Sequence, residues 1–320
     1  MADAATLDPA AEAQRLKHVA EATVKALELL AGATPHEVIW RKGPVRLRAY
    51  APEGKTTRAP LLLVTPIINR YRIVDLAPEG LSLVQGLTQA GIPVYVVDWG
   101  DPAVIDRGTD FSDYVLRYLP AIQRVVEARH QVQSLDVIGY CLGGTISVMY
   151  AARFPERVKR LITLNTPVDF ATGQPFMDLL REWVDPRWFP VDRITEAFGN
   201  MPGRLIAQGF VWPTPVGSAL KFVRAWPRFE SAEFADFFSV LESWNQDSVD
   251  VPGAAYRTLI TQLYRQNDLI EGRITPPRPP RAPGRDPLPG ARGDLLGGHD
   301  LPARSRPRAA REGLDPQGSA

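Results

Sequence analysis

Leu135-Asp136-Val137-Ile138-Gly139-Tyr140-Cys141-Leu142-Gly143-Gly144 is the stretch on which the fold turns. Its first four residues suit an apolar strand, and residues 142–153 suit a helix. Between them stands G-x-C-x-G, the cysteine form of the nucleophile elbow. The spacing has a physical reason. A nucleophile on a sharp strand-to-helix turn occupies strained backbone, and the glycines on either side, Gly139 and Gly143, let neighbouring chain approach without colliding side chains. Cys141 is therefore expected above the end of a sheet. There it meets free backbone N–H groups and the positive end of a helix dipole, which predicts a bias toward thiolate. The Leu142 N–H is the first candidate donor of an oxyanion hole. A lone cysteine is more commonly a small buried hydrophobe; the two glycines and the strand-helix context argue against that here.

Outward from the elbow, residues 61–64, 94–97 and 161–164 are apolar strand candidates, and Val45, Leu47 and Ala49 alternate with Arg46, Arg48 and Tyr50 as in a strand with one wet face. Helical patterns fall at 81–89 and 111–130. Another covers 10–31, where Leu16, Val19, Ala20, Thr23, Leu27 and Leu30 recur at helical spacing. Apolar strands alternating with helices predict an α/β fold with a mainly parallel sheet covered on both faces. The loop Thr65-Pro66-Ile67-Ile68-Asn69-Arg70 abuts the elbow in such a sheet, and the Ile68 N–H is the candidate second oxyanion donor. Asp98 ends its strand on the edge where ligands bind, but Asp98-Trp99-Gly100 reads better as a strand-ending turn.

The chain has 320 residues, 45% hydrophobic and 23% charged, enough for one large core. Lys and Arg number 37 against 36 Asp and Glu, a net +1, so nothing draws the chain to nucleic acid. Cys141 is the single cysteine, which excludes an internal disulfide. No metal and no cofactor are expected. The N-terminus is acidic and lacks a signal-like apolar run, so the expected location is cytoplasmic. Residues 169–273 hold five of the seven tryptophans and read as a helical cap able to roof an apolar pocket. Residues 274–320 differ in kind. Ten Pro, eight Arg, seven Gly and six Ala make up 31 of these 47, with no Lys, Val, Phe, Tyr or Trp, so a disordered tail is expected. The expected divisions are a helical N-terminus (1–39), an α/β core (40–168), the cap (169–273) and this tail.

Several segments together resemble the catalytic subunit of class III polyhydroxyalkanoate synthases, within the α/β-hydrolase superfamily. They are Thr65 to Arg70, Asp98-Trp99-Gly100, Gly139 to Gly144, Thr166-Pro167-Val168-Asp169-Phe170 and Gly199-Asn200-Met201-Pro202-Gly203. Trp244 to Ser248, Pro252-Gly253 and Tyr264 to Leu269 belong with them. The resemblance spans residues 40–273. It implies an α/β-hydrolase fold with a cap, and polymerisation of (R)-3-hydroxyacyl groups from coenzyme A thioesters through Cys141. It also implies a helical accessory subunit, a homodimer and association with polymer granules. A noncatalytic granule- or subunit-binding protein and an ester or thioester hydrolase are the alternatives.

The resemblance also implies a catalytic Asp and a Gly-Gly-His loop on strands beyond residue 274. The Pro/Arg/Gly/Ala tract stands there instead, with the composition of a GC-rich gene read out of frame. The expectation is therefore a frameshift near 274, loss of the C-terminal strands and impaired activity. His18 and His36 precede the sheet, and His130 ends a helix. His299, with Asp294 before it, has no strand around it, so none of these is expected to be catalytic.

Overall fold

The computed structural model describes residues 8–29, 34–54, 58–76, 80–211 and 215–274. Residues 275–320, including Asp294 and His299, lie outside the described residues.

A six-stranded sheet forms the centre, in the order β1-β2-β4-β3-β5-β6. β1 (Glu37–Lys42) and β2 (Val45–Tyr50) are an antiparallel hairpin, and β2 runs antiparallel to β4 (Val94–Asp98). From there β4, β3 (Leu61–Val64), β5 (Leu135–Tyr140) and β6 (Val158–Leu164) are all parallel. Every residue of β3 and β4 is buried, which is why these strands read as unbroken apolar runs. Val64 lies opposite both Val97 and Gly139, so β3, β4 and β5 finish level with one another. That shared edge carries the elbow. β6 is the last strand of this sheet among the described residues.

α2 (Leu83–Gln89) starts at Ser82, whose hydroxyl accepts the Gln85 N–H at 2.9 Å. The predicted helix over 111–130 is one helical run in three parts: α3 (Phe111–Asp113), a π-helical turn (Tyr114–Tyr118) and α4 (Leu119–His130). α5 (Leu142–Arg153) follows the elbow. The cap region contributes α6 (Pro175–Trp183), α7 (Val191–Phe198), α8 (Gly203–Val211), α9 (Pro215–Ala225) and α10 (Ala232–Gln246). β7 (Asn200–Met201) pairs antiparallel with β8 (Val251–Pro252), and α11 (Gly253–Thr258) runs on into a π-helix, Leu259–Arg265. Among the described residues no helix is long and apolar enough to cross a membrane.

Two expectations need correction. The sheet begins at Glu37, inside the segment read as a helical N-terminus, because Glu37–Lys42 finds a ladder partner in β2. On the side facing the sheet Val191, Met201, Val251, Leu259 and Leu263 share one apolar cluster with Leu62, Val97, Leu142 and Ile146. α1 (Pro9–Leu29) forms as expected, but a different stripe is buried. Leu16 is 59% exposed, while Ala22 and Ala26 are at 2% and 0%. Ala22, with Val19, packs against Phe229, Phe234 and Phe238, and Ala26 packs with Leu76 and Val240. Polar contacts join the same seam, with Trp226 Nε1 donating to Glu12 at 2.9 Å and Arg15 paired with Glu230.

Candidate active site

Cys141 sits between β5 and α5 with φ 51° and ψ −125°, a strained conformation for a residue with a side chain. Its N–H donates to the Leu164 carbonyl at 2.9 Å, and its carbonyl accepts the N–H groups of Gly144 (2.9 Å) and Thr145 (3.1 Å). The turn is thus locked from both sides. The glycines around it are needed for close packing. A Cβ on Gly139 would lie 2.5 Å from Gly144 Cα, one on Gly143 would lie 2.3 Å from the Val64 carbonyl, and one on Gly144 would lie 1.9 Å from Thr166 Oγ1. Gly143 thereby brings the start of α5 onto the end of β3 and the loop that carries Ile68.

That loop is fastened to the end of the cap. The Ile68 carbonyl accepts the Val249 N–H at 3.2 Å, and Asn69 forms a bridge with Ser248. Arg70 donates to Asp247 and to Asp101, each at 2.7 Å, and these carboxylates raise its already high pKa. On the other side, Asp169 after β6 accepts the Asn267 amide at 2.8 Å. Asp169 is held below the ordinary carboxylate range by its bonds to the Ala171 N–H and Asn267. The segments that carried the resemblance therefore meet one another around the elbow.

Between the helices that follow β6 lies a cavity of about 370 Å³ lined by apolar side chains, among them Leu180, Val184, Ile194, Leu259 and Ile260, with Tyr256 and Tyr264. Tyr264 is half-buried against it, with its ring 5.0 Å from that of Phe170. Burial raises the Tyr264 phenol, and the charge on Cys141 adds to the effect. The sequence flagged Tyr264 to Leu269 only as a resembling segment and read no role into Tyr264; the signal was present without a partner to interpret it.

Cys141 itself is half-buried. The expected bias toward thiolate is reversed: burial raises the thiol pKa, and the hydrogen bond from the Leu142 N–H only partly offsets this. Desolvation of an ion at a cap-covered site outweighs one amide and a helix end. Asp98 is a structural residue, as the turn reading held. It is 5% exposed and takes Arg48 Nε and Nη2 at 3.0 and 2.8 Å.

The three described histidines are engaged elsewhere. His18 bonds Gln14 and the Phe229 carbonyl, His36 bonds the Thr34 carbonyl and Arg48, and His130 bonds the Tyr95 hydroxyl at 2.6 Å. Among the described residues no cluster of three or more His, Cys, Asp or Glu forms a metal site.

The family model described as "Poly-beta-hydroxybutyrate polymerase (PhaC) N-terminus" matches residues 11–87, and the alpha/beta hydrolase fold model matches residues 75–200. The chain is 36% identical over 252 residues to the poly(3-hydroxyalkanoate) polymerase subunit PhaC of Haloferax mediterranei, covering 77% of this chain and 50% of that protein. The PhaC subunits of Thiocystis violacea and Allochromatium vinosum are each 31% identical, over 246 and 247 residues, covering 76% of this chain and 68% of either relative. The chain thus spans about half the length of the Haloferax relative. A strained cysteine elbow on a mainly parallel sheet, matched along most of the described chain, places it: the chain belongs to the poly(3-hydroxyalkanoate) polymerase subunit PhaC family.

Proposed function

We propose that this chain is a polyhydroxyalkanoate synthase-type acyltransferase acting through Cys141. The observation that carries the reading is the strained Cys141 turn at the head of α5, with the Leu142 N–H at its sulfur. The thiol loses its proton, and the thiolate attacks the carbonyl of a (R)-3-hydroxyacyl-coenzyme A. An S–C bond forms to Cys141 while the bond to coenzyme A breaks, and coenzyme A leaves as its thiol. One thioester replaces another, so the acyl group stays activated for attack by the next 3-hydroxyl. The N–H groups of Leu142 and Ile68 are the proposed oxyanion donors. The pocket takes the acyl chain and keeps water from the thioester.

Unaided turnover is proposed to be low. The thiol is raised by burial, and each described histidine is bonded away from it. A frameshift near residue 274 is proposed to account for the lack of a catalytic histidine among the described residues, with Gly297-Gly298-His299 a chance match, and reading the coding DNA in its other frames for a strand, an Asp loop and a Gly-Gly-His loop tests it. The helical accessory subunit, a homodimer, granule association and a cytoplasmic location belong to the same proposal.

The test is incubation with (R)-3-hydroxybutyryl-coenzyme A, following coenzyme A release and acyl mass on Cys141. Wild type is expected to gain the acyl mass and Cys141→Ala to gain none. Acyl mass elsewhere, or none in either protein, overturns the reading; released free acid without polymer selects a hydrolase.

A further inference from the structure

Among the described residues β6 closes the sheet, paired with β5 on one side and with no strand on the other. Lys159, Arg160, Ile162 and Thr163 are exposed, although β3 and β4 of the same sheet are buried throughout. Ile162 alone is 48% exposed at mid-strand. The backbone phase of this edge is fixed. The Leu164 carbonyl accepts the Cys141 N–H at 2.9 Å, so Leu164 turns its peptide groups toward β5. With a two-residue period Ile162 does the same, and Leu161 and Thr163 direct theirs away from β5. Lys159 falls in the outward phase and has no β5 residue opposite it. An open edge of this kind is a template for another strand.

We propose that β6 pairs antiparallel with β6 of a second copy about a two-fold axis at Leu161, joining two six-stranded sheets into one. That axis sets Leu161 opposite its own counterpart, and Lys159 of each copy opposite Thr163 of the other. These are the residues whose N–H and C=O groups face outward, so all three pairs are of the hydrogen-bonded kind. The side chains agree. Arg160 falls opposite Ile162 of the second copy, where its stem covers exposed apolar surface, and its guanidinium is already held by Asp136 at 2.9 and 2.7 Å. No like charges face each other. An axis one residue earlier would oppose Arg160 to Arg160 and present the groups that β5 already uses. The chain's own tail makes a poor strand by comparison: residues 276–320 contain no β-branched or aromatic residue, and seven of residues 275–289 are proline, which has no N–H. The inference goes beyond the chemistry of Cys141 and gives the proposed homodimer a face.

The test is the mass of the full chain in solution, by sedimentation equilibrium over a range of concentrations. Wild type is expected to form a dimer. Thr163→Pro removes an N–H turned away from β5 and should give a folded monomer. Charge tests the register. Thr163→Glu sets a carboxylate opposite Lys159 in both symmetric pairs and should tighten the dimer about fivefold, whereas Thr163→Lys should loosen it about fivefold. Thermal melts verify folding, and the two charge variants decide the matter if the proline variant does not fold. A wild type that is monomeric, or that grows into an open series of larger species, overturns the proposal. So does a dimer untouched by Thr163→Pro, or Glu and Lys variants that behave alike. Acylation of Cys141 is a separate measurement, so failure of the synthase reading leaves this one standing, and the reverse.

Discussion

Asn267 clasps Asp169: its amide donates to the carboxylate at 2.8 Å while its own oxygen accepts the Phe170 N–H at 2.8 Å. One side chain thus joins the loop after β6 to the end of the π-helix that bears Tyr264. Asn267 does so from left-handed backbone, φ 53°, which asparagine tolerates better than most residues.

Asn267→Gly should loosen this junction by losing the hydrogen bonds alone, whereas Asn267→Ala loses them and adds about 1 kcal/mol of left-handed strain. Urea melts of the two variants measure the difference. Equal stabilities would mean that the turn relaxes out of the left-handed region.

The same pair makes stability acid-sensitive. The folded Asp169 carboxyl sits below its ordinary value of 3.8, so the unfolded chain binds that proton more tightly. Its contribution is complete above 3.8 and disappears as pH falls through the lower folded value. Asn267→Gly should flatten this part of the acid denaturation curve, read by circular dichroism. An unchanged curve would assign the acid sensitivity to other carboxylates.

Asp98→Asn should destabilise the fold by about 3 kcal/mol, because it leaves Arg48 beside a buried neutral group. The folded protein should still alkylate Cys141 at the wild-type rate, since Asp98 faces β2 rather than the elbow. Lost alkylation at full stability would return Asp98 to the active site.

Gly143→Ala and Gly144→Ala should both disable the elbow, for different reasons. The Gly143 neighbour is the backbone of Val64 and Thr65, which cannot retreat; the Gly144 neighbour is the side chain of Thr166. Thr166→Gly should therefore rescue Gly144→Ala in part and leave Gly143→Ala unrescued, with soluble yield and alkylation rate as readouts.

Gly209 lines the cavity, and a Cβ there would meet nothing within 4 Å. Gly209→Phe should fill the pocket without strain. Uptake of acyl groups on Cys141 should drop at least tenfold while the small reagent iodoacetamide reacts normally. Equal loss of both would mean that the pocket does not serve the acyl chain.

The sequence by itself determined the strand-helix alternation, the elbow and its glycines, because these are local: a period of apolar residues and a turn that only glycine-flanked backbone can make. It also pointed to a mainly parallel sheet covered on both faces, as continuous apolar runs are buried between helices; the order of the strands in that sheet came from the structure. Tertiary structure alone decided the rest. Which stripe of α1 is buried depends on the phenylalanines it meets, and the state of the Cys141 thiol depends on how much cap covers it. That Tyr264 packs ring to ring with Phe170, far away in the chain, follows from hydrogen bonds made by Arg181, Arg265 and Asn267 across separate segments. No periodicity records such contacts, because each is a pairing between residues whose neighbours in sequence are unrelated.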